Sequence, residues 1–212
     1  LGWSRSFAAN EALTCAAREG HDLDPARRLA VALWRFWTMH GHFAEGRGWF
    51  DRLVRADGDG PPSPLRAMVV YCAASLSVSQ GDVDAAGDLL SDALARFRAL
   101  GDTQGVSWAL NDLAAVATHR RAYDQAVGLY EESLALKRQV GARWDIARTL
   151  VNLGELAWRL GDYDRAEALY LEGMAASREA GGPPDKTILA ATKHNLGEVG
   201  RCRGEPERAA RL

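Results

Sequence analysis

The sequence has 212 residues, of which 47% are hydrophobic and 25% are charged, a composition typical of a folded globular protein and too apolar for a disordered tail. Its 26 Lys and Arg residues nearly balance its 28 Asp and Glu residues, and the formal net charge of -2 provides no overall positive field for phosphate groups. Direct binding of nucleic acid is therefore not expected.

The cysteines and the most apolar stretch indicate in which cellular compartment the protein is expected. The three cysteines lie far apart and form no CxxC pair, so neither a disulfide framework nor a zinc site is expected, and a cytoplasmic location fits. The stretch over residues 29–37 is interrupted by Arg35 and is shorter than the roughly 18 residues of a membrane span, and no signal peptide is visible. Because the sequence starts at Leu1 without Met and stops at Leu212 inside a helical pattern, we expect it to be part of a longer protein.

Hydrophobic periodicity and capping residues predict helices throughout the chain. No stretch alternates like a strand, so no sheet is expected. Ser63-Pro64 and Asp24-Pro25 are typical of an N-cap followed by a first helical residue, and Asp82 and Asp162 are expected to cap the helices that follow them. The predicted helices cover residues 6–19, 25–39, 43–56, 64–79, 83–99, 103–119, 123–140, 143–160, 163–179 and 186–202, with the start of another from 206.

The segment over residues 57–64 is rich in Gly, Pro and Asp. It has a weak similarity to a calcium loop, but it lacks the third spaced ligand and runs into Pro61 and Pro62. We interpret it as a solvated linker between repeats.

An internal repeat organises the helices. Turns at Gly41, Gly81, Arg121 and Gly161 are spaced 40 residues apart, and Gly204 follows after 43 because of an insertion. A small residue follows five positions after each turn and allows close helix approach, while a large residue nine positions after it fills the space between helix pairs. The small residues are Gly46, Ala86, Ala126, Ala166 and Ala209, and the large ones are Phe50, Leu90, Tyr130 and Tyr170.

These columns resemble the tetratricopeptide repeat, with Leu153-Gly154, Gly161-Asp162-Tyr163, Ala166 and Tyr170 following its pattern. The resemblance implies an all-α fold, a right-handed α-α superhelix of about five helix hairpins of which the last is incomplete. The implied organisation is an N-terminal capping or linker helix over residues 1–20 and a solenoid over 21–212, with repeats near 25–56, 64–99, 103–140, 143–179 and 186–212.

A second resemblance covers essentially the whole chain. The run from Arg28 to Trp37, continued from Gly41 to Phe50, resembles the C-terminal repeat region of bacterial STAND-type ATPase regulators, many of them LuxR- or SARP-type transcription factors. The resemblance implies a sensor of an inducer or partner, joined to flanking domains of a parent regulator. It covers neither the ATPase nor the DNA-binding modules.

No catalytic constellation is visible. No Lys follows a Gly, which excludes a Walker A loop in this sequence, and His40 and His42 are spaced so that they do not share a helix face. We therefore expect no enzyme activity, no cofactor and no metal. The aromatic residues around Trp34, Trp37 and Phe50 are interpreted as core packing and not as a ligand cage.

The first helix of each pair is expected to line the concave groove of the superhelix, and helical spacing selects the side chains that point there. Asn152 and Glu155 recur as Asn195 and Glu198, and an asparagine amide suits the backbone of an extended peptide. An alternative is that these side chains satisfy one another, as Arg159 and Glu155 would at i, i+4. The groove candidates are Arg35, Tyr71, Ser75, Trp108, Asn111, Asp112, His119, Arg148, Asn152, Glu155, Arg159, His194, Asn195 and Glu198.

The favoured function is a non-catalytic recognition module that binds a peptide, a protein segment or a small inducer in the concave groove. In the repeat family, a clamp for a C-terminal carboxylate needs basic residues at two groove positions. Only Arg148 occupies one of them, so that ligand is not expected. The alternative is a free-standing scaffold or co-chaperone-like adaptor.

Overall fold

The computed structural model describes residues 22–57, 61–179 and 186–205. Within these ranges the chain forms nine α-helices and no strand, so the predicted all-α fold of tandem helix hairpins is confirmed. The helices are α1 (Asp24–His40), α2 (Phe43–Arg55), α3 (Pro64–Ser79), α4 (Val83–Ala99), α5 (Thr103–His119), α6 (Tyr123–Val140), α7 (Arg143–Arg159), α8 (Tyr163–Glu179) and α9 (Lys186–Cys202).

The helix bounds differ by no more than one residue from those that the periodicity predicts. The helices predicted over residues 6–19 and from 206 lie outside the described residues. The domain organisation with an N-terminal helix over 1–20 therefore stays a prediction.

Local chemistry sets the helix ends. The side chain of Ser63 accepts a hydrogen bond from the backbone N–H of Arg66 at 3.2 Å, and that of Asp82 accepts one from Ala85 at 3.2 Å. The cap predicted at Asp24 is wrong. Asp24 is the first residue of α1, and its carboxylate accepts from the Arg27 guanidinium at 2.9 Å.

The chain divides into two compact units inside α5, one reaching to Ala109 and one beginning at Leu110. In the first unit, the rings of Trp37 and Phe50 meet edge to face at 5.8 Å and both side chains are fully buried. The interpretation of the aromatic residues as core is therefore confirmed for Trp37 and Phe50, whereas Trp34 is half-buried.

The core of the second unit follows the repeat columns. Ala126 and Tyr130 from α6 pack with leucines of α7, and Ala166 and Tyr170 from α8 pack with Leu196 of α9. The small and large residues that recur along the sequence are thus the residues that fill the space between helices.

The described residues of this segment form no helix before Pro64, as expected of a linker, but the prediction that the segment is solvated is wrong for Asp57, whose side chain is only 7% exposed. Its carboxylate contacts the guanidinium groups of Arg27, Arg66 and Arg96. An acidic residue in a Gly- and Pro-rich segment is buried here because three cations surround it. Residues 58–60 of the same segment lie outside the described residues.

Gly154 of α7 packs directly against Tyr170 of α8. A Cβ atom at this position would lie 2.6 Å from Cε1 of Tyr170, whose side chain is only 1% exposed. We expect Gly154→Ala to lower the free energy of unfolding by about 1–3 kcal/mol through overpacking. Helix propensity alone predicts the opposite sign, a gain of about 1 kcal/mol. Urea titration followed by circular dichroism measures the difference.

Gly128 in α6 is the matched control, because a Cβ atom there would meet nothing within 4 Å. Gly128→Ala is expected to raise the free energy of unfolding by up to about 1 kcal/mol. Equal effects of the two substitutions would contradict the close contact between Gly154 and Tyr170.

Candidate functional site

A recess of about 370 Å³ lies in the second unit, where α5, the turn after it, α6 and α7 meet. It brings together four of the predicted groove residues, namely His119, Asn152, Glu155 and Arg159. The remaining lining residues are Ala115, Thr118, Arg121, Tyr123, Tyr130 and Leu156. We call this feature the α5–α7 recess.

Glu155 and Arg159 form an ion pair at the edge of the α5–α7 recess. One Glu155 carboxylate oxygen accepts from Arg159 Nη2 at 2.6 Å and from Nε at 3.2 Å. The hydrogen bond to Glu155 raises the pKa of the Arg159 guanidinium further above its ordinary value. The alternative in which groove side chains satisfy one another therefore holds for this pair.

Asn152 differs from this pair. Its side chain is half-buried in the wall of the α5–α7 recess and makes no hydrogen bond or ion pair within the described part of the chain. An amide with a free donor and a free acceptor can bind both an N–H and a C=O of a ligand.

Two tyrosines from α6 complete the polar wall. Tyr130 is buried, and burial, together with the negative charge of Asp112, raises the pKa of its phenol above the ordinary value. The phenol therefore keeps its proton. Tyr123 lies half-buried at the start of the same helix. Sequence reasoning placed Tyr130 in a repeat column but did not connect either tyrosine with the site.

Arg121 is another lining residue that sequence reasoning did not identify as a site residue. It occupies the turn between α5 and α6, where the neighbouring repeats carry Gly81 and Gly161. The departure from glycine was the available signal, since an arginine there introduces both a charge and an unfavourable backbone conformation.

The other predicted groove residues are distributed over both units. Arg35, Arg148 and His194 are exposed, whereas Ser75, Trp108, Asp112, Asn195 and Glu198 are half-buried. Tyr71 and Asn111 are buried. In the first unit, the Tyr71 ring stacks on Trp108 with a centroid distance of 6.1 Å. In the second unit, Asn195 is hydrogen-bonded to Tyr170, and Glu198 forms an ion pair with Arg201.

Asn111 belongs to a buried polar network that the sequence did not reveal. Lys137 is fully buried, and its Nζ donates to Thr149 Oγ1 at 2.7 Å and to Asn111 Oδ1 at 3.3 Å. Burial, and then the nearby charge of Arg148, lower the pKa of Lys137 from 10.5 to about 8. The Asn111 amide is therefore occupied by the protein itself.

Within the described ranges, no cluster of three or more His, Cys, Asp or Glu side chains is placed to hold a metal ion. In the same part of the chain, none of the helices has both the length and the apolar character that crossing a bilayer requires.

Tandem helix hairpins with recurring small and large core residues define an α-helical repeat protein. The family model of the tetratricopeptide repeat matches residues 66–139 and 145–212. The chain belongs to the tetratricopeptide repeat family. No curated protein matches it in sequence.

Solved structures with low sequence identity share the fold. BtubC (BKLC) from P. vanneervenii has a TM-score of 0.79 at 21% identity, covering 99% of this chain and 85% of that one. A putative kinesin light chain repeat protein from Podosopora anserina has a TM-score of 0.71 at 17% identity, with coverages of 91% and 93%.

A third similar structure contains a ligand. The Rap conjugation gene regulator of the plasmid pLS20, solved in complex with the Phr* peptide, has a TM-score of 0.70 at 12% identity. The match covers 97% of this chain and 60% of the regulator, so the chain corresponds to a little over half of that protein.

Proposed function

We propose that this chain is a non-catalytic recognition module that binds a peptide or protein segment in the α5–α7 recess. The observation that carries the proposal is the unpaired side-chain amide of Asn152 in a polar recess. The charges of the neighbouring Glu155 and Arg159 compensate each other. A free amide beside an extended chain can donate to a backbone carbonyl and accept from a backbone N–H.

The size and polarity of the α5–α7 recess favour a peptide over a small apolar inducer. A volume of about 370 Å³ is at the lower end for small-molecule pockets, which are mostly apolar. The lining here is dominated by Arg, Glu, Asn, His and Tyr side chains. Such walls suit the polar backbone and side chains of a segment that extends beyond the recess.

The recognition module is further proposed to be the sensor part of a larger transcriptional regulator. The resemblance of the chain to the repeat region of STAND-type regulators supports this, and so does the similarity in fold to a peptide-bound conjugation gene regulator. The flanking domains of the parent regulator would then be additional partners.

A free-standing scaffold is the second candidate. It is favoured by the coverage of two similar structures, because the chain spans 85% of BtubC and 93% of the putative kinesin light chain. In those structures, a chain of repeats of nearly this length makes up most of the molecule. The sequence that flanks this chain in its parent gene separates the two candidates: an ATPase or DNA-binding domain beside the repeats supports the regulator, and a parent made of repeats alone supports the scaffold.

The peptide-binding proposal predicts the effect of Asn152→Ala. An array of immobilised random-sequence synthetic peptides selects binders of the chain, and the affinities of the selected peptides are then measured by fluorescence anisotropy. We expect Asn152→Ala to weaken binding by about 5- to 30-fold, the equivalent of about 1–2 kcal/mol for lost hydrogen bonds.

Gln139→Ala is the control, since Gln139 is exposed on α6 and does not line the α5–α7 recess. Its affinities are expected to equal those of the unmodified chain. Unchanged affinity in Asn152→Ala would remove Asn152 from the site, and an array without any binder would remove the peptide-binding proposal.

A further inference from the structure

The backbone of Arg121 has the conformation that the other repeats assign to glycine. Its φ is 60°, compared with 77° for Gly81 and 80° for Gly161, and it is the only non-glycine residue with positive φ in the described part of the chain. This left-handed region is unfavourable for a side chain with a Cβ atom. Glycine would be the less strained residue at this turn.

The charge of Arg121 is not used within the fold. Its guanidinium forms no hydrogen bond or ion pair with any residue of the described ranges, and the side chain is exposed. In this chain, many other arginines pair with carboxylates of the same or a neighbouring helix, such as Arg165 with Glu131 at 2.7 Å. A structural ion pair therefore does not explain the arginine at this turn.

Among the residues that line the α5–α7 recess, Arg121 carries a positive charge that no carboxylate of the described residues compensates. The carboxylate of Glu155 is neutralised by Arg159, and His119 adds no negative charge. A ligand that complements the recess electrostatically therefore carries an anionic group next to Arg121 and hydrogen-bonding groups next to Asn152.

We propose that Arg121 is the specificity-determining residue of the α5–α7 recess and binds the carboxylate of an Asp or Glu side chain in the bound peptide. A guanidinium offers two parallel N–H donors that match the two oxygens of a carboxylate. The proposal rests on the proposed function, because it assigns the chemistry of the peptide that the same recess binds. Strained residues persist where their side chain has a role that the favoured residue cannot fill.

Two peptide libraries test the proposal. One is a random-sequence synthetic library, and the other has the same sequences with every Asp and Glu replaced by Asn and Gln. We expect the unmodified chain to bind the best acidic peptides about tenfold more tightly than their amide counterparts. Arg121→Asn is expected to bind both libraries with the affinity measured for the amide peptides, because Asn tolerates positive φ and carries no charge.

Arg178→Asn is the matched control. It removes the same charge from an exposed position on α8 outside the α5–α7 recess, and it is expected to retain the tenfold preference. Thermal melting shows whether the variants are folded. The Tm of Arg121→Asn is expected to lie within about 4 °C of that of the unmodified chain or above it.

The outcomes separate this proposal from the proposed function. Equal binding of both libraries by the unmodified chain, or an acidic preference that survives in Arg121→Asn, overturns the role of Arg121 and leaves peptide binding intact. Absence of binding to either library overturns both. A third library with phosphoserine at the acidic positions tests phosphate, and an Arg121-dependent preference for phosphoserine alone overturns carboxylate recognition.

Discussion

Asp57→Asn is expected to lower the free energy of unfolding of the first unit by about 3–5 kcal/mol, the cost of breaking a buried ion pair by removing one partner. Asp57 follows α2, and its carboxylate contacts Arg27 from α1, Arg66 from α3 and Arg96 from α4. One negative charge therefore connects four consecutive helices. Urea titration at neutral pH measures the loss.

The magnitude follows from burial. The side chains of Asp57 and Arg27 are 7% and 5% exposed, and Arg27 Nη2 donates to Asp57 Oδ1 at 3.2 Å. Without the carboxylate, Arg27 would remain in the interior with only Asp24, which is partly exposed, as its counter-charge. A buried cation without adequate compensation is far more costly than an exposed one.

Asp51→Asn is the control for the loss of one negative charge. Asp51 contacts Arg47 at 3.9 Å and is 38% exposed, so its removal should change the free energy of unfolding by no more than about 0.5 kcal/mol. If Asp57→Asn were as mild as Asp51→Asn, the four-helix connection through Asp57 would carry little of the stability.

The repeat register explains what the sequence predicted well. Turn residues 40 positions apart, with small and large residues at constant offsets, place the helix ends to within one residue because every repeat confirms the others. The same register predicted that His119, Asn152, Glu155 and Arg159 share one side of the helices, and these four residues do line one recess.

The repeat register also marks a column of buried positions that residue type alone does not reveal. Asp57, Phe97, Lys137 and Ser177 are spaced 40 residues apart, and all four are buried. Phe97 has the residue type expected for a core column. Asp57 stands in a segment of loop composition and Lys137 is of a residue type that is rarely buried, so neither residue type indicates burial. Two of the three arginines that contact Asp57, Arg27 and Arg96, lie 30 and 39 positions away in the sequence, and local sequence patterns do not report such contacts.

Lys137→Met is expected to remove a pH dependence of stability that the unmodified chain has between pH 8 and pH 10.5. Burial lowers the pKa of Lys137 from 10.5 to about 8 in the folded state. Below pH 8 the amine is protonated in both the folded and unfolded states. Between the two pKa values only the unfolded chain binds this proton, so folding becomes more favourable as the pH rises.

The size of the effect follows from the difference between the two pKa values. Across this interval, the free energy of unfolding of the unmodified chain should rise by about 3 kcal/mol relative to that of Lys137→Met. Of the groups around the amine, Arg148 lowers the pKa of Lys137 further, whereas Asp145 and Asp112 raise it. Both chains share the titration of Cys72 and of the buried tyrosines, so the difference between their pH profiles isolates Lys137.

Lys193→Met provides the comparison for an exposed lysine. Its stability profile should run parallel to that of the unmodified chain from pH 7 to pH 10.5, because this substitution leaves the buried amine of Lys137 in place. A Lys137→Met profile that also ran parallel would mean that the Lys137 ammonium is solvated in the folded chain. Its hydrogen bonds to Thr149 and Asn111 would then not keep the amine out of water. If instead the unmodified chain gains stability relative to Lys137→Met as the pH rises, the charge of the Lys137 ammonium opposes folding at neutral pH. The equivalent position of the preceding repeat holds the apolar Phe97.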